Sequence, residues 1–66
     1  MKTPTITLIS KHAYEWRYSA RWPPSFRMYY VTYYPTRAAI EIHTSTGGEV
    51  RTPRVLEAVW RALATQ

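Results

Sequence analysis

Tyr14-Glu15-Trp16-Arg17-Tyr18-Ser19-Ala20-Arg21-Trp22, then Pro23-Pro24-Ser25, then Phe26-Arg27-Met28-Tyr29-Tyr30-Val31-Thr32-Tyr33-Tyr34, is the stretch that decides the fold. In the first run Tyr14, Trp16, Tyr18, Ala20 and Trp22 share one side of an extended chain, and Glu15, Arg17, Ser19 and Arg21 share the other. So regular a period of two means strand. The prolines stop the ladder, and the second run resumes with Phe26, Met28, Tyr30, Thr32 and Tyr34 on one side and Arg27, Tyr29, Val31 and Tyr33 on the other. Pairing Trp22 with Phe26 makes the apolar sides coincide. It also sets Arg21 directly against Arg27, with Arg17, Tyr29 and Tyr33 nearby. Like charges placed opposite each other repel, so a solvent face that keeps them is expected to have an anionic partner.

Upstream, residues 5–10 follow Pro4 and are rich in β-branched side chains, which suits an edge strand. Pairing Leu8 with Trp16 and Ile6 with Tyr18 keeps the apolar sides together, and Lys11-His12-Ala13 is either a turn or the middle of one bent strand. Downstream, Pro35-Thr36-Arg37 turns the chain into residues 38–44, where Ile40 and Ile42 match Thr32 and Tyr30. His43 is then expected beside Tyr29 and Glu41 beside Val31. Ser45-Thr46-Gly47-Gly48 forms a further turn, and Glu49-Val50-Arg51 could add a short return strand.

The helix announces itself by its start: Thr52 as N-cap, Pro53 in the first helical position, then Arg54 to about Ala64. Val55, Leu56, Val59, Trp60 and Leu63 make one stripe, with Arg54, Glu57 and Arg61 opposite. Such a helix covers one sheet face only. The expected class is α+β, a three- to four-stranded antiparallel meander with one C-terminal helix, residues 1–66 forming a single domain. The expected core is Leu8, Trp16, Tyr18, Ala20, Met28, Tyr30, Ile40 and Ile42. The opposite face, with Arg17, Arg21, Arg27, Tyr29, Tyr33 and His43, is left for water or a partner.

At 66 residues the chain is near the lower size limit for a self-sufficient core, and it has no cysteine to staple it or to hold a metal through thiolate. Compensation must come from three Trp, six Tyr and one Phe, or from homodimerisation. Nine Lys and Arg against four acidic residues give +5, a balance that suits polyanions. Neither a hydrophobic targeting region nor a membrane-length apolar run is present, so a cytoplasmic location and no membrane partner are expected.

Enzyme chemistry finds little support. His12 and His43 with Lys11 could be read as a ribonuclease base and acid, but nothing in the sequence brings them together. Glu15 and Glu41 stand on separate strands and more readily balance arginines. Ser45-Thr46-Gly47-Gly48 could offer amides to phosphate, although a two-glycine turn ordinarily only turns the chain. No catalytic residue, metal site or cofactor is assigned. Trp22, Pro23, Pro24 and Phe26 form an apolar hairpin tip, expected to cap the end of the core, the alternative being an exposed knob that enters a minor groove or a partner pocket.

Three antiparallel strands followed by a helix, from Tyr14 to Ala64, resemble in architecture the small arm-type DNA-binding domains of phage and transposon integrases. In those the sheet sits in the major groove. The aromatic, basic sheet is also similar to that of single-strand-binding transcriptional coactivators. The expected function is non-enzymatic binding of nucleic acid, DNA rather than RNA, through Arg17, Arg21, Arg27, Tyr29, Tyr33 and His43. Arginines would engage phosphates or guanine edges, and tyrosines would stack bases or bond the backbone. The alternative is a small protein-binding inhibitor or adaptor of phage or mobile-element type. Its target would be an acidic protein surface, such as a host nucleic-acid-handling complex, because Tyr, Trp and Arg also dominate protein interfaces.

Overall fold

The computed structural model describes residues 2–66. It is an α+β structure in which β1 (Thr5–Lys11), β2 (Trp16–Arg21), β3 (Tyr29–Tyr34), β4 (Ala39–Thr44) and β5 (Glu49–Val50) form one antiparallel sheet in sequence order. A single helix, α1 (Pro53–Ala64), follows. The sheet has five strands where three to four were expected, because the Glu49-Val50 return does pair with β4, Ile42 opposite Val50 and His43 opposite Glu49.

The β1–β2 connection is a turn and not a bent strand: the His12 N–H donates to the Glu15 carbonyl at 2.8 Å. Tyr14 lies in that turn, 72% exposed, and so leaves the strand to which its alternation assigned it. Leu8 pairs with Tyr18 and Ile6 with Ala20, two residues along from the expected partners, which preserves the faces. A bulge between Leu8 and Ser10 then resets the ladder so that Lys11 pairs with Trp16.

Between β2 and β3 the register differs from expectation by a single residue. Ala20 pairs with Tyr29, Tyr18 with Val31 and Trp16 with Tyr33. With a side-chain period of two, this one step turns all of β3 over. Tyr29, Val31 and Tyr33 therefore share the face of Trp16, Tyr18 and Ala20, while Tyr30, Thr32 and Tyr34 share that of Arg17 and Ser19. β4 keeps its faces and shifts register by one residue against the turned strand: Ile42 stands opposite Val31, and His43 opposite Tyr30 instead of Tyr29. The driving difference lies at the sheet centre, where Val31 is 1% exposed. The expected register would have put the Tyr30 phenol there, between Tyr18 and Ile42, and the Thr32 hydroxyl between Trp16 and Ile40, polar groups needing partners beneath an apolar helix face.

The core is Tyr18, Ala20, Val31, Ile42 and Val59, with Ile6, Trp16, Trp22, Tyr29, Tyr33, Ile40 and Leu56 among the side chains packed around it. Tyr30 and Leu8, both expected inside, are 44% and 48% exposed. Helix α1 begins at Pro53 after Thr52, whose side chain makes no capping hydrogen bond. It seats on the sheet through Ala58, Val59 and Ala62. The two alanines let the backbone approach closely and move the buried stripe away from Trp60, whose ring meets Tyr33 edge-on at 5.8 Å from the rim.

Candidate nucleic-acid interface

Helix α1 covers one face of the sheet and leaves the other bare. On the bare face lie Thr5 and Thr7 of β1, Arg17, Ser19 and Arg21 of β2, Tyr30, Thr32 and Tyr34 of β3, and Glu41 and His43 of β4. Ile9, displaced by the bulge, joins Arg17, Tyr30 and Thr32 around a shallow hollow of about 280 Å³. Of the residues expected on this face, Arg17, Arg21 and His43 are there. Tyr29 and Tyr33 are not: they face the helix, Tyr29 edge-on to Trp22 at 5.4 Å and Tyr33 against Trp16 at 5.3 Å. The tyrosines that the bare face does carry are their chain neighbours, Tyr30 and Tyr34.

The expected contact between Arg21 and Arg27 is also absent. Residues 22–28 form a loop rather than a tight hairpin, with the Ser25 N–H donating to the Trp22 carbonyl at 2.9 Å and the Pro23–Pro24 peptide cis. Ser25 Oγ accepts from the Arg27 N–H at 3.1 Å. Arg21 instead reaches over Phe26, its guanidinium carbon 5.9 Å from the ring centroid. Phe26 is 85% exposed and caps nothing. The other half of the apolar tip, Trp22, does close the core end, and its indole N–H donates to the Lys2 carbonyl at 2.7 Å.

Arg27 stands at the rim, between two hollows. One, about 310 Å³, is lined by Trp22, Ser25, Tyr29 and Val55, and the other, about 280 Å³, by Thr44, Ser45 and Thr46. Both glycine amides of the 45–48 turn are already engaged: Gly48 N–H donates to Thr44 Oγ1 at 3.1 Å and Gly47 N–H to the Thr44 carbonyl at 3.0 Å. Those two amides are not free to cradle a phosphate.

Charge is distributed unevenly along the sheet. Three glutamates are tied to nearby arginines, Glu15 to Arg17 at 3.0 Å, Glu49 to Arg51 at 2.8 Å and Glu57 to Arg61. The Arg51 hydrogen bond holds the Glu49 carboxyl below its ordinary pKa. Among the described residues Lys2, Lys11, Arg21, Arg27, Arg37 and Arg54 make no ion pair with a carboxylate. Two of these sit at the end of the sheet where β2 begins and β3 ends, each over a ring, Lys11 on Trp16 at 3.9 Å and Arg37 on Tyr34 at 4.3 Å. The other four, Lys2, Arg21, Arg27 and Arg54, belong to the opposite end, where β2, the 22–28 loop and the first turn of α1 meet. The Tyr34 end is the more acidic. Burial first, then the carboxylates of Glu41 and Glu15, push the Tyr34 hydroxyl above its ordinary pKa.

His12 lies in the β1–β2 turn and His43 near the far end of β4, so the fold does not bring them together. Glu15 and Glu41 converge only on Tyr34. Tyr30 and Ile9 were missed by sequence reasoning, and Phe26 was expected against the core end instead of in the open. The signal that could have found Tyr30 is Val31, the one aliphatic residue of its run and therefore the residue to bury. No family model, curated protein or solved structure matches this chain.

Proposed function

We propose that this protein binds single-stranded nucleic acid non-enzymatically at the cationic end of its bare sheet face. The observation that carries the reading is the exposed ring of Phe26 with the Arg21 guanidinium over it, at the end of the sheet where Lys2 and Arg27 also make no ion pair with a carboxylate. Arg21 and Arg27 flank that ring in sequence, and Tyr30 and His43 continue the surface inward as a cross-strand pair. Bases stack on Phe26 and Tyr30, and phosphates follow Arg21, Arg27 and Lys2. A single strand suits these rings better than a duplex, because a duplex keeps its base faces stacked on one another.

The exposed Ile9 and Phe26 side chains favour, as the second reading, an acidic protein surface. A salt titration with fluorescent oligonucleotides, single-stranded and duplex, DNA and RNA, tests both. Contact with three or four phosphates of a single strand gives a log–log slope of about −2 to −3. Absence of binding at low salt, or binding indifferent to the double change Arg21→Ala and Arg27→Ala, would sink the nucleic-acid reading.

A further inference from the structure

The two edges of the sheet are unequal. β5, at one edge, is two residues long and sits beside the Glu49–Arg51 ion pair, which are ordinary ways of blunting an edge against pairing. β1, at the other, runs seven residues, regular from Thr5 to Leu8 before its bulge, with its outer main-chain groups unpaired by any strand among the described residues. Its side chains are unusual for a free edge. Leu8 is 48% and Ile9 55% exposed, and no charge occurs between Lys2 and Lys11 in a chain of net charge +5. This is where two copies of a cationic molecule can approach with least repulsion.

We propose that β1 is a self-association edge, on which a second copy of the chain lays its own β1 antiparallel about a two-fold axis through Thr7. Two five-stranded sheets then become one continuous sheet. The register follows from the side-chain faces. Centring on Thr7 puts Thr7 against Thr7, a favourable cross-strand pair, and Ile6 of each copy against Leu8 of the other. Ile6 and Leu8 stand on the helix-bearing face opposite Ala20 and Tyr18, so the pairing covers the exposed Leu8 with apolar surface in the strip between the two helices. On the bare face Thr5 meets Ile9. Lys11 of each copy falls opposite Thr3 of the other, and no like charges face each other. A two-fold axis normal to the sheet leaves both bare faces on the same side.

The tests use sedimentation and cross-linking of the full chain. Wild type sediments at high micromolar concentration at twice the 7.8 kDa chain mass. Thr7→Lys, at an exposed position, sets two ammonium groups on the axis and weakens association about tenfold or more, while circular dichroism stays unchanged. Because the chain has no cysteine, Thr7→Cys supplies a readout that does not depend on the Lys variant folding. Facing residues of an antiparallel pair lie within disulfide reach, so Thr7→Cys oxidises to a cross-linked dimer far faster than Thr5→Cys, whose two copies stand about 13 Å apart along the strands. A wild type that is monomeric throughout, a dimer indifferent to Thr7→Lys, or equal cross-linking at positions 5 and 7 overturns the proposal.

Discussion

The guanidinium of Arg21 lies 5.9 Å from the centroid of the Phe26 ring, on the side of the sheet that the helix leaves bare. An 85% exposed aromatic ring contributes little to folding, and a cation over it at the surface adds roughly 0.5–1 kcal/mol at most. The pair is therefore open to change without loss of the fold. Phe26→Ala is expected to shift the midpoint of thermal unfolding by no more than a degree or two, while lowering oligonucleotide affinity by the value of one stacked base, about 1–3 kcal/mol. Paired thermal melts and anisotropy titrations measure both. Equal affinity for wild type and variant would remove Phe26 from the interface.

The tyrosine pair at 29 and 30 separates the two faces. Tyr29 packs on Trp22 and the core, so Tyr29→Ala should cost about 2–4 kcal/mol in a urea titration. Tyr30→Ala should cost under about 1 kcal/mol, since its ring is 44% exposed, and should instead weaken binding. The reverse ranking in stability would contradict the observed register.

The same register makes opposite demands on the next pair. Val31→Thr puts a hydroxyl into a 1% exposed site between Tyr18 and Ile42 and is expected to destabilise by about 1–3 kcal/mol. Thr32→Val on the bare face should be nearly neutral. Chemical denaturation of the two single variants decides the matter.

Backbone strain offers a test at the turns. Ala38 holds φ at 50° in the turn before β4, a left-handed conformation that costs a residue with a Cβ about 1 kcal/mol or more relative to glycine. Ala38→Gly is therefore expected to raise the unfolding midpoint. Gly47, at φ 96°, has open space around it, so Gly47→Ala should destabilise through its backbone alone. A stabilising Gly47→Ala would contradict this turn geometry.

Burial, and then the nearby Tyr33, push the Tyr18 hydroxyl above its ordinary pKa. The folded chain thus keeps that proton to higher pH than the unfolded chain, whose tyrosines titrate near about 10. This contribution to stability is complete below that pH and is lost as pH rises through the unfolded and then the folded value. Unfolding free energy should fall on the alkaline side, and Tyr18→Phe should lessen the decline. An unchanged slope in the variant would assign the alkaline loss to other groups.

Much of the architecture was legible in the sequence, since strand and helix periodicities and turn residues are local properties. The alternation from Trp16 to Trp22, the Thr52-Pro53 helix start, the turns near Pro35 and Gly47, and the single covered face are all stated by neighbouring residues. Alternation also establishes that Tyr29 and Tyr30 point opposite ways. It cannot say which of them points inward, because that depends on the number of residues spent in the 22–28 loop and on what the helix brings to the other side. The tertiary structure decided it by burying Val31 against Ile42 under Val59, where the expected register would have set the larger, hydroxyl-bearing Tyr30. That choice sent Tyr29 and Tyr33 into the core, gave the bare face to Tyr30 and Tyr34, and parted Arg27 from Arg21. Register is a long-range property: shifting it by one residue leaves every local preference satisfied and exchanges the two faces of a strand.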